Sequence, residues 1–143
     1  MKSPPTILAA LFLAASLAPC YPDGPGLIIT EFLAANNSGL IDEDEDSSDW
    51  IEIHNTSQEP ISLEDWYLTD EQDNLAKWRF PNITIETRGF VLVFASGKNR
   101  FNPKTELHAN FKLNRNGDYL ALVQSDKNTI ATEFSPQFPV QIN

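Results

Sequence analysis

The residues best suited to chemistry are the carboxylates of one acidic run, residues 42–49. Asp42, Asp44 and Asp46 alternate along the chain, and Asp49 follows three residues later. Calcium takes about six to eight oxygen ligands in a loose geometry, and carboxylates at this spacing can supply several of them. Close carboxylates also repel one another unless a cation gathers among them. If the chain has a cation site, we expect it to hold Ca²⁺ at these four aspartates; the other interpretation is a solvated acidic loop that keeps a nearby sheet edge from pairing with other chains.

The three tryptophans raise a second kind of chemistry, the stacking of a sugar ring on an aromatic face. The alternation of apolar residues along the chain predicts that Trp66 and Trp78 lie in the core. Trp50 instead shares strand parity with the polar residues Glu52 and His54, so core and surface both stay open for it. One exposed aromatic side chain would not make a sugar-binding platform.

No constellation of residues predicts catalysis. His54 and His108 are the only histidines, and no cysteine follows Cys20 that could join them at a zinc site. No serine lies in a Gly-x-Ser-x-Gly nucleophile motif. We predict that the protein is not an enzyme and has no cofactor other than the Ca²⁺ considered above.

The charge of the chain is distributed unevenly. The formal net charge is −10, and residues 21–73 contain 15 acidic residues but no lysine or arginine. Binding to a nucleic-acid backbone needs basic side chains that displace counterions, so nucleic acid is not expected as a partner. An acidic surface favours cationic partners instead.

Short apolar runs alternate with turn-rich breaks, which predicts an all-β domain. The breaks are rich in Asn, Gly, Ser and Asp, and no run of a dozen residues has helical apolar periodicity. Residues 90–94 are apolar at every position, which predicts a central strand covered on both faces. The predicted strands are residues 27–32, 50–54, 62–68, 77–80, 90–94, 119–123 and 129–134. Strands of this length and spacing favour an antiparallel β-sandwich.

The N-terminus is typical of an export signal. Lys2 precedes an apolar run, residues 7–15, which is shorter than the roughly 20 residues that a membrane-spanning helix needs. Cys20 stands in a context similar to a bacterial lipobox, although Pro19 departs from that pattern; lipidation of Cys20 and ordinary cleavage nearby are the two alternatives. Lipidation would be the chain's one membrane attachment. We predict a signal peptide at residues 1–20, a spacer at 21–26 and a domain at 27–143.

Three segments together resemble the lamin tail domain. They are ITEFLAANN (29–37) followed by DEDEDSSDWIEIHN (42–55), then WYLTD (66–70) with DNLAKWRFP (73–81), and finally FASGKNR (94–100) with LHANFKL (107–113). The resemblance implies an immunoglobulin-like antiparallel β-sandwich. It also implies a binding surface without catalytic residues, and in bacteria the domain occurs in secreted or surface proteins.

We therefore expect a non-catalytic binding or scaffolding module outside the cytoplasm, in a secreted, periplasmic or cell-surface setting. It would present an acidic face to a protein or surface polymer. The alternative is a Ca²⁺-dependent adhesive or carbohydrate-binding module.

Overall fold

The structure is a computed structural model that describes residues 26–141. The predicted signal peptide, Cys20 and nearly all of the predicted spacer lie outside the described residues. The described part contains ten strands and no helix. In chain order they are β1 Leu27–Leu33, β2 Asp49–Asn55, β3 Ile61–Ser62, β4 Tyr67–Thr69, β5 Trp78–Arg79, β6 Thr84–Ile85, β7 Phe90–Ala95, β8 Leu107–His108, β9 Leu120–Val123 and β10 Ile130–Phe134.

The strands form two four-stranded sheets and a small third one. The first sheet has the order β1-β2-β7-β8, the second β10-β9-β4-β5, and β3 pairs with β6. Both larger sheets contribute to a common core, and several of its side chains are fully buried. These include Leu27, Ile51, Ile53 and Val93 of the first sheet and Leu68, Leu120 and Leu122 of the second. The immunoglobulin-like β-sandwich predicted from the sequence is confirmed.

Strand β2 is the best predicted element. Ile51 and Ile53 are fully buried, whereas Glu52 and His54 on the opposite face are half-buried. This alternation follows from the two-residue repeat of a strand that has one face against the core. Six consecutive residue pairs join β2 to β7 without a break in register.

One predicted strand is wrong in its length. Residues 62–68 form the end of β3 and the start of β4, with a turn between them. Asp65 lies in the left-handed region (φ 62°), and the Trp66 amide donates to the Leu63 carbonyl, so the chain changes sheets here. Asp tolerates this conformation better than most residues, which is why the turn forms where the apolar pattern continued.

Strand β7 is central in its sheet, but it is covered on both faces only over its second half. Phe90 is 57% exposed and Val91 and Leu92 are half-buried, whereas Val93, Phe94 and Ala95 are buried. Strand β8 is short and pairs with β7 only at Val93 and Phe94. That pairing is parallel, unlike all the other strand pairs of the described chain, and neither β8 nor β6 was predicted.

A membrane-spanning helix is not found among residues 26–141.

Candidate functional site

The acidic run folds around one buried carboxylate, that of Asp42. Its side chain is 0% exposed. Asp42 Oδ1 accepts hydrogen bonds from the backbone amides of Asp44 (3.0 Å) and Asp46 (3.1 Å), and Oδ2 accepts from the Ser48 hydroxyl (2.8 Å). The Asp42 carbonyl accepts from the amide of Glu45, whose φ is 65°. An aspartate that binds amides a few residues ahead forces the chain into a tight loop, so the sequence itself dictates this conformation.

A lysine side chain holds the carboxylates of this loop together. Lys98 follows β7, beyond the turn at Gly97, where φ is 78° and favours glycine. Its ammonium nitrogen lies 2.6 Å from Asp42 Oδ2, 2.7 Å from Asp44 Oδ2 and 2.9 Å from Asp46 Oδ2. The cation that these three carboxylates require is therefore present in the chain as the Lys98 ammonium group.

Arg100 adds a second cation at the rim of the loop. It bonds Glu43 Oε1 through Nη1 and Asp44 Oδ2 through Nη2, each at 2.8 Å. The Glu43 backbone amide donates to Glu106 Oε2 at 2.6 Å. Since Arg100 is 40% exposed, its ion pairs are more strongly screened by solvent than the buried pair of Lys98 and Asp42.

The ionisation of the loop follows from these contacts. Burial opposes the charged form of Asp42, but hydrogen bonds from Lys98, Ser48 and the loop amides outweigh it and hold the pKa of Asp42 well below its usual range. The pKa of Lys98 is likewise raised, because its three carboxylate partners overcome the desolvation of the ammonium group. Both groups are charged at neutral pH, which gives strong, charge-assisted bonds.

His108 lies fully buried beneath the loop. Its Nδ1 is 2.9 Å from the Ser96 hydroxyl, and its ring stacks on Phe94 with centroids 5.3 Å apart. Nε2 has no hydrogen-bond partner among the described residues, and the nearest carboxylates, Glu43 and Glu106, are 4.0 Å away. Burial, together with the nearby cations, lowers the pKa of His108. The serine–histidine pair thus lacks a carboxylate in hydrogen-bond contact with the imidazole, which a serine-nucleophile triad needs.

Three of the four aspartates predicted to bind calcium come together. Asp42, Asp44 and Asp46 each offer an oxygen within 4.8 Å of the others, but Asp49 is not part of this group. Asp49 begins β2 and accepts a hydrogen bond from the Asn36 amide at 3.2 Å. Burial raises the pKa of Asp49. Cys20, the predicted lipidation site, lies outside the described residues.

The aromatic residues lie largely as expected. Trp78 is buried, and Trp66 is partly buried and packs against the core. Trp50 is half-buried, between the two alternatives. None of the three presents a freely exposed ring, so they do not form a flat sugar platform on the described surface.

Next to the acidic loop, the chain exposes two large apolar side chains. Leu40 is 49% exposed and Ile41 is 60% exposed. The backbone beneath them is fixed, since Asn36 Nδ2 donates to the Leu40 carbonyl at 2.5 Å and to the Ser48 carbonyl at 2.9 Å. We call residues 40–46 the acidic loop surface.

Comparison with known protein families identifies the family to which this chain belongs. The sequence profile of the lamin tail domain matches residues 22–135. The chain belongs to the lamin tail domain family. This family consists of immunoglobulin-like, non-enzymatic domains, and its fold agrees with the sandwich described above. A search of curated proteins finds no match.

Sequence reasoning missed the partners of the acidic run in this lamin tail domain. Lys98 and Arg100 were noted only as parts of the segments that resemble the family, and His108 was otherwise considered only as a zinc ligand. A signal was present, because Lys98 and Arg100 directly follow the most apolar strand of a chain whose first half has no basic residue after Lys2. The strand pairing of β2 with β7 brings Asp49 opposite Ala95, and this places the loop before β2 beside the turn after β7.

Proposed function

We propose that this lamin tail domain is a non-catalytic binding module outside the cytoplasm, and that it binds a protein partner through the acidic loop surface. The observation that carries the proposal is the combination found there: two exposed apolar side chains, Leu40 and Ile41, beside carboxylates on a rigid loop. Protein interfaces pair an apolar centre with a polar or charged rim. A loop that is already ordered also binds with a smaller loss of conformational entropy.

The charge left on the loop defines the partner. Within the network of residues 42–46, Lys98 and Arg100 supply two positive charges against five carboxylates. The Asp46 side chain is 64% exposed, and Glu45 is exposed without an ion pair among the described residues. The surface therefore remains anionic after its internal pairing. A partner with an apolar patch flanked by lysine or arginine would complement it, and its affinity would fall as salt rises.

A crosslinking experiment in the native host tests this proposal. A photoreactive amino acid at Ile41 should capture one protein, whereas the same residue at Phe90, which is equally exposed but lies on β7, should not. Glu45→Lys should reduce capture, since it reverses a charge without removing a Lys98 or Arg100 contact. Glu86→Lys, at an exposed position in the loop between β6 and β7, is the matched control. Equal capture at both positions, or capture unaffected by Glu45→Lys, would contradict the proposal.

The setting outside the cytoplasm has its own test. It is supported by the basic start, the apolar run of residues 7–15 and the high acidic charge. Cell fractionation and N-terminal sequencing of the exported chain should find the N-terminus near residue 21. Labelling with a radioactive fatty acid, with Cys20→Ala as control, decides between a lipid anchor and ordinary cleavage. An uncleaved chain in the cytoplasm would contradict this part of the proposal.

Calcium remains a second candidate function, favoured by the convergence of Asp42, Asp44 and Asp46. A Ca²⁺ ion at these carboxylates would have to displace or share them with the Lys98 ammonium. Calcium-dependent adhesion therefore predicts that Ca²⁺ raises the melting temperature of the unmodified chain and that a chelator lowers it. An unchanged melt would leave Lys98 as the cation of the loop and favour the protein-binding proposal.

A further inference from the structure

A second surface, away from the acidic loop, has the form of a small-molecule site. A cleft of about 480 Å³ opens where β5 and the segment just after β8 lie side by side, at one edge of each four-stranded sheet. The volume lies within the roughly 300–1,000 Å³ usual for ligand pockets. Its lining combines aromatic rings with side-chain amides. The residues are Trp78, Phe80 and Phe101, with Asn82, Asn99 and Asn110.

From the chemistry of this lining, we propose that the cleft binds a neutral saccharide. Phe101 is 59% exposed, whereas Trp78 and Phe80 are buried, so one ring is available for stacking on a pyranose. One exposed ring alone is not a sugar platform; here it lies in a cleft beside three side-chain amides, and the ring and the amides act together. The side-chain amides of Asn82 and Asn99 make no hydrogen bond to another described residue, so each can both donate to and accept from sugar hydroxyls. Asn110 uses one amide hydrogen on the Lys77 carbonyl (3.0 Å) and keeps its oxygen free.

The charges around the cleft favour a neutral ligand over an anionic one. Lys77 is already paired with Asp70 and Glu71, each at 2.6 Å, and Arg79 is paired with Asp65. The one further charged residue of the lining, Glu64, is an acid. An anionic ligand would therefore find no unpaired cation here and would meet a carboxylate.

The geometry of the edge disfavours an extended peptide. Strand β5 is only two residues long, and the amide of Asn110 already occupies the carbonyl of Lys77 just before it. A peptide that adds a strand needs a row of free backbone groups.

The test is a titration of the purified, ¹⁵N-labelled chain followed by nuclear magnetic resonance. The probes are the neutral oligomers cellohexaose, xylohexaose, mannohexaose and chitohexaose, with hexagalacturonate as the anionic probe and a capped threonine hexapeptide for strand addition. At least one neutral oligomer should shift the side-chain amides of Asn99 and Asn110 and the indole N–H of Trp78. Hexagalacturonate and the peptide should leave them in place.

Variants then assign the binding to the cleft. Phe101→Ala should weaken the responding oligomer about tenfold, which corresponds to losing about 1.4 kcal/mol of binding free energy. Phe90→Ala removes an equally exposed phenylalanine on β7 and should leave the affinity unchanged. Asn99→Gly, which keeps the left-handed backbone (φ 53°), should also weaken binding.

Several outcomes would overturn the proposal. These are the absence of any shift with all four neutral oligomers at millimolar concentration, shifts that map elsewhere, or equal losses in the two phenylalanine variants. Binding of hexagalacturonate alone would show an anion site. Shifts produced by the peptide alone would assign the edge to strand addition.

Discussion

At each end of β2, one buried side chain holds the adjoining loop through several hydrogen bonds. The side chain is charged before the strand and neutral at its end. Before β2, the carboxylate of Asp42 gathers backbone amides, a hydroxyl and the Lys98 ammonium. At the end of β2, the amide of Asn55, also fully buried, gathers three backbone carbonyls and the amide and hydroxyl of Ser57. A carboxylate can only accept hydrogen bonds, so it recruits donors and a cation. An amide both donates and accepts. Asn55 therefore links its own loop to Ile85 of β6 and to Glu86 through uncharged hydrogen bonds.

This difference separates what the two loops can do. The hydrogen bonds of Asn55 join uncharged groups, so we expect salt, pH and cations to have little effect on them, and they stabilise the fold. We expect the Asp42 loop to respond to all three, since its contacts join charged groups, and it lies beside the exposed Leu40 and Ile41. The ionic end of β2 is therefore where we expect the proposed binding to be regulated. Four experiments test this contrast.

The largest effect is expected at the neutral end. Asn55→Ala removes a donor from the Ile85 carbonyl and the acceptor of the Ser57 amide, whereas the Glu59 and Glu86 carbonyls keep bonds from the Ser57 hydroxyl and the Gly89 amide. Each buried polar group left unsatisfied costs about 1–3 kcal/mol. We expect a loss of about 3 kcal/mol or more in the free energy of unfolding, measured by urea denaturation, and equal losses at low and high salt. Asn128→Ala, at an exposed turn position, is the control. A loss that depends strongly on salt would remove the distinction between the two loops.

The next effect is expected at the ionic end. Lys98→Met leaves three converging carboxylates without their central cation, and removal of one partner from a buried pair leaves an uncompensated charge. Two of the three carboxylates are partly exposed, so we expect a loss of about 2 kcal/mol, below the range for a fully buried pair. Ca²⁺ should recover part of the melting temperature in this variant but not in the unmodified chain.

Lys104→Met is the matched control for this experiment, because Lys104 is exposed and makes no ion pair within the described chain. An equal response to Ca²⁺ in the variant and the unmodified chain would mean that calcium and Lys98 occupy the loop together. If Lys98→Met does not lower the stability, the Lys98 ammonium group contributes nothing measurable to the free energy of unfolding.

The sequence was sufficient to predict the sandwich. For the ionic site it predicted the carboxylates but not the basic residues that pair with them. Strand alternation is local, so the buried face of β2 could be read from Ile51 and Ile53 directly. The clustering of Asp42, Asp44 and Asp46 was also predictable, because their spacing and mutual repulsion are local properties. The identity of their cation was not, since Lys98 is more than fifty residues away and arrives only through the pairing of β2 with β7. Asp49 lies apart from the other three carboxylates, because it begins β2 and accepts a hydrogen bond from the Asn36 amide.

A smaller effect is expected when pH is lowered. The pKa of His108 is below that of an unfolded histidine, so the unfolded chain binds the proton first. The stability that His108 contributes is complete above about pH 6.5 and is lost as pH falls toward the folded-state pKa. Thermal melts from pH 7.5 to 5.5 should therefore decline with acid, and His108→Gln should flatten the decline. Burial raises the pKa values of Asp49 and Asp118, so these groups act with the opposite sign, and the comparison with His108→Gln assigns the decline to the histidine.

The same change at the half-buried His54 controls for the loss of a histidine. If His108→Gln leaves the dependence of melting temperature on pH unchanged, the titrating group lies elsewhere. The ionic loop would then not be the source of the pH dependence.

The smallest effect is expected for Arg100→Gln. The ion pairs of Arg100 with Glu43 and Asp44 lie between side chains that are 35–40% exposed, where solvent screens most of the attraction. We expect a melting temperature close to that of the unmodified chain and well above that of Lys98→Met.

A second measurement tests whether Arg100 still belongs to the network. Its charge helps to lower the pKa of His108, so the variant should raise that pKa in a titration followed by nuclear magnetic resonance. Arg115→Gln, at an exposed position outside the loop, should leave the His108 titration unchanged. If Arg100→Gln lowers the melting temperature as much as Lys98→Met, the rim of the loop is as important as its buried centre, and the loop is held by its total charge and not by the one ammonium group beneath it.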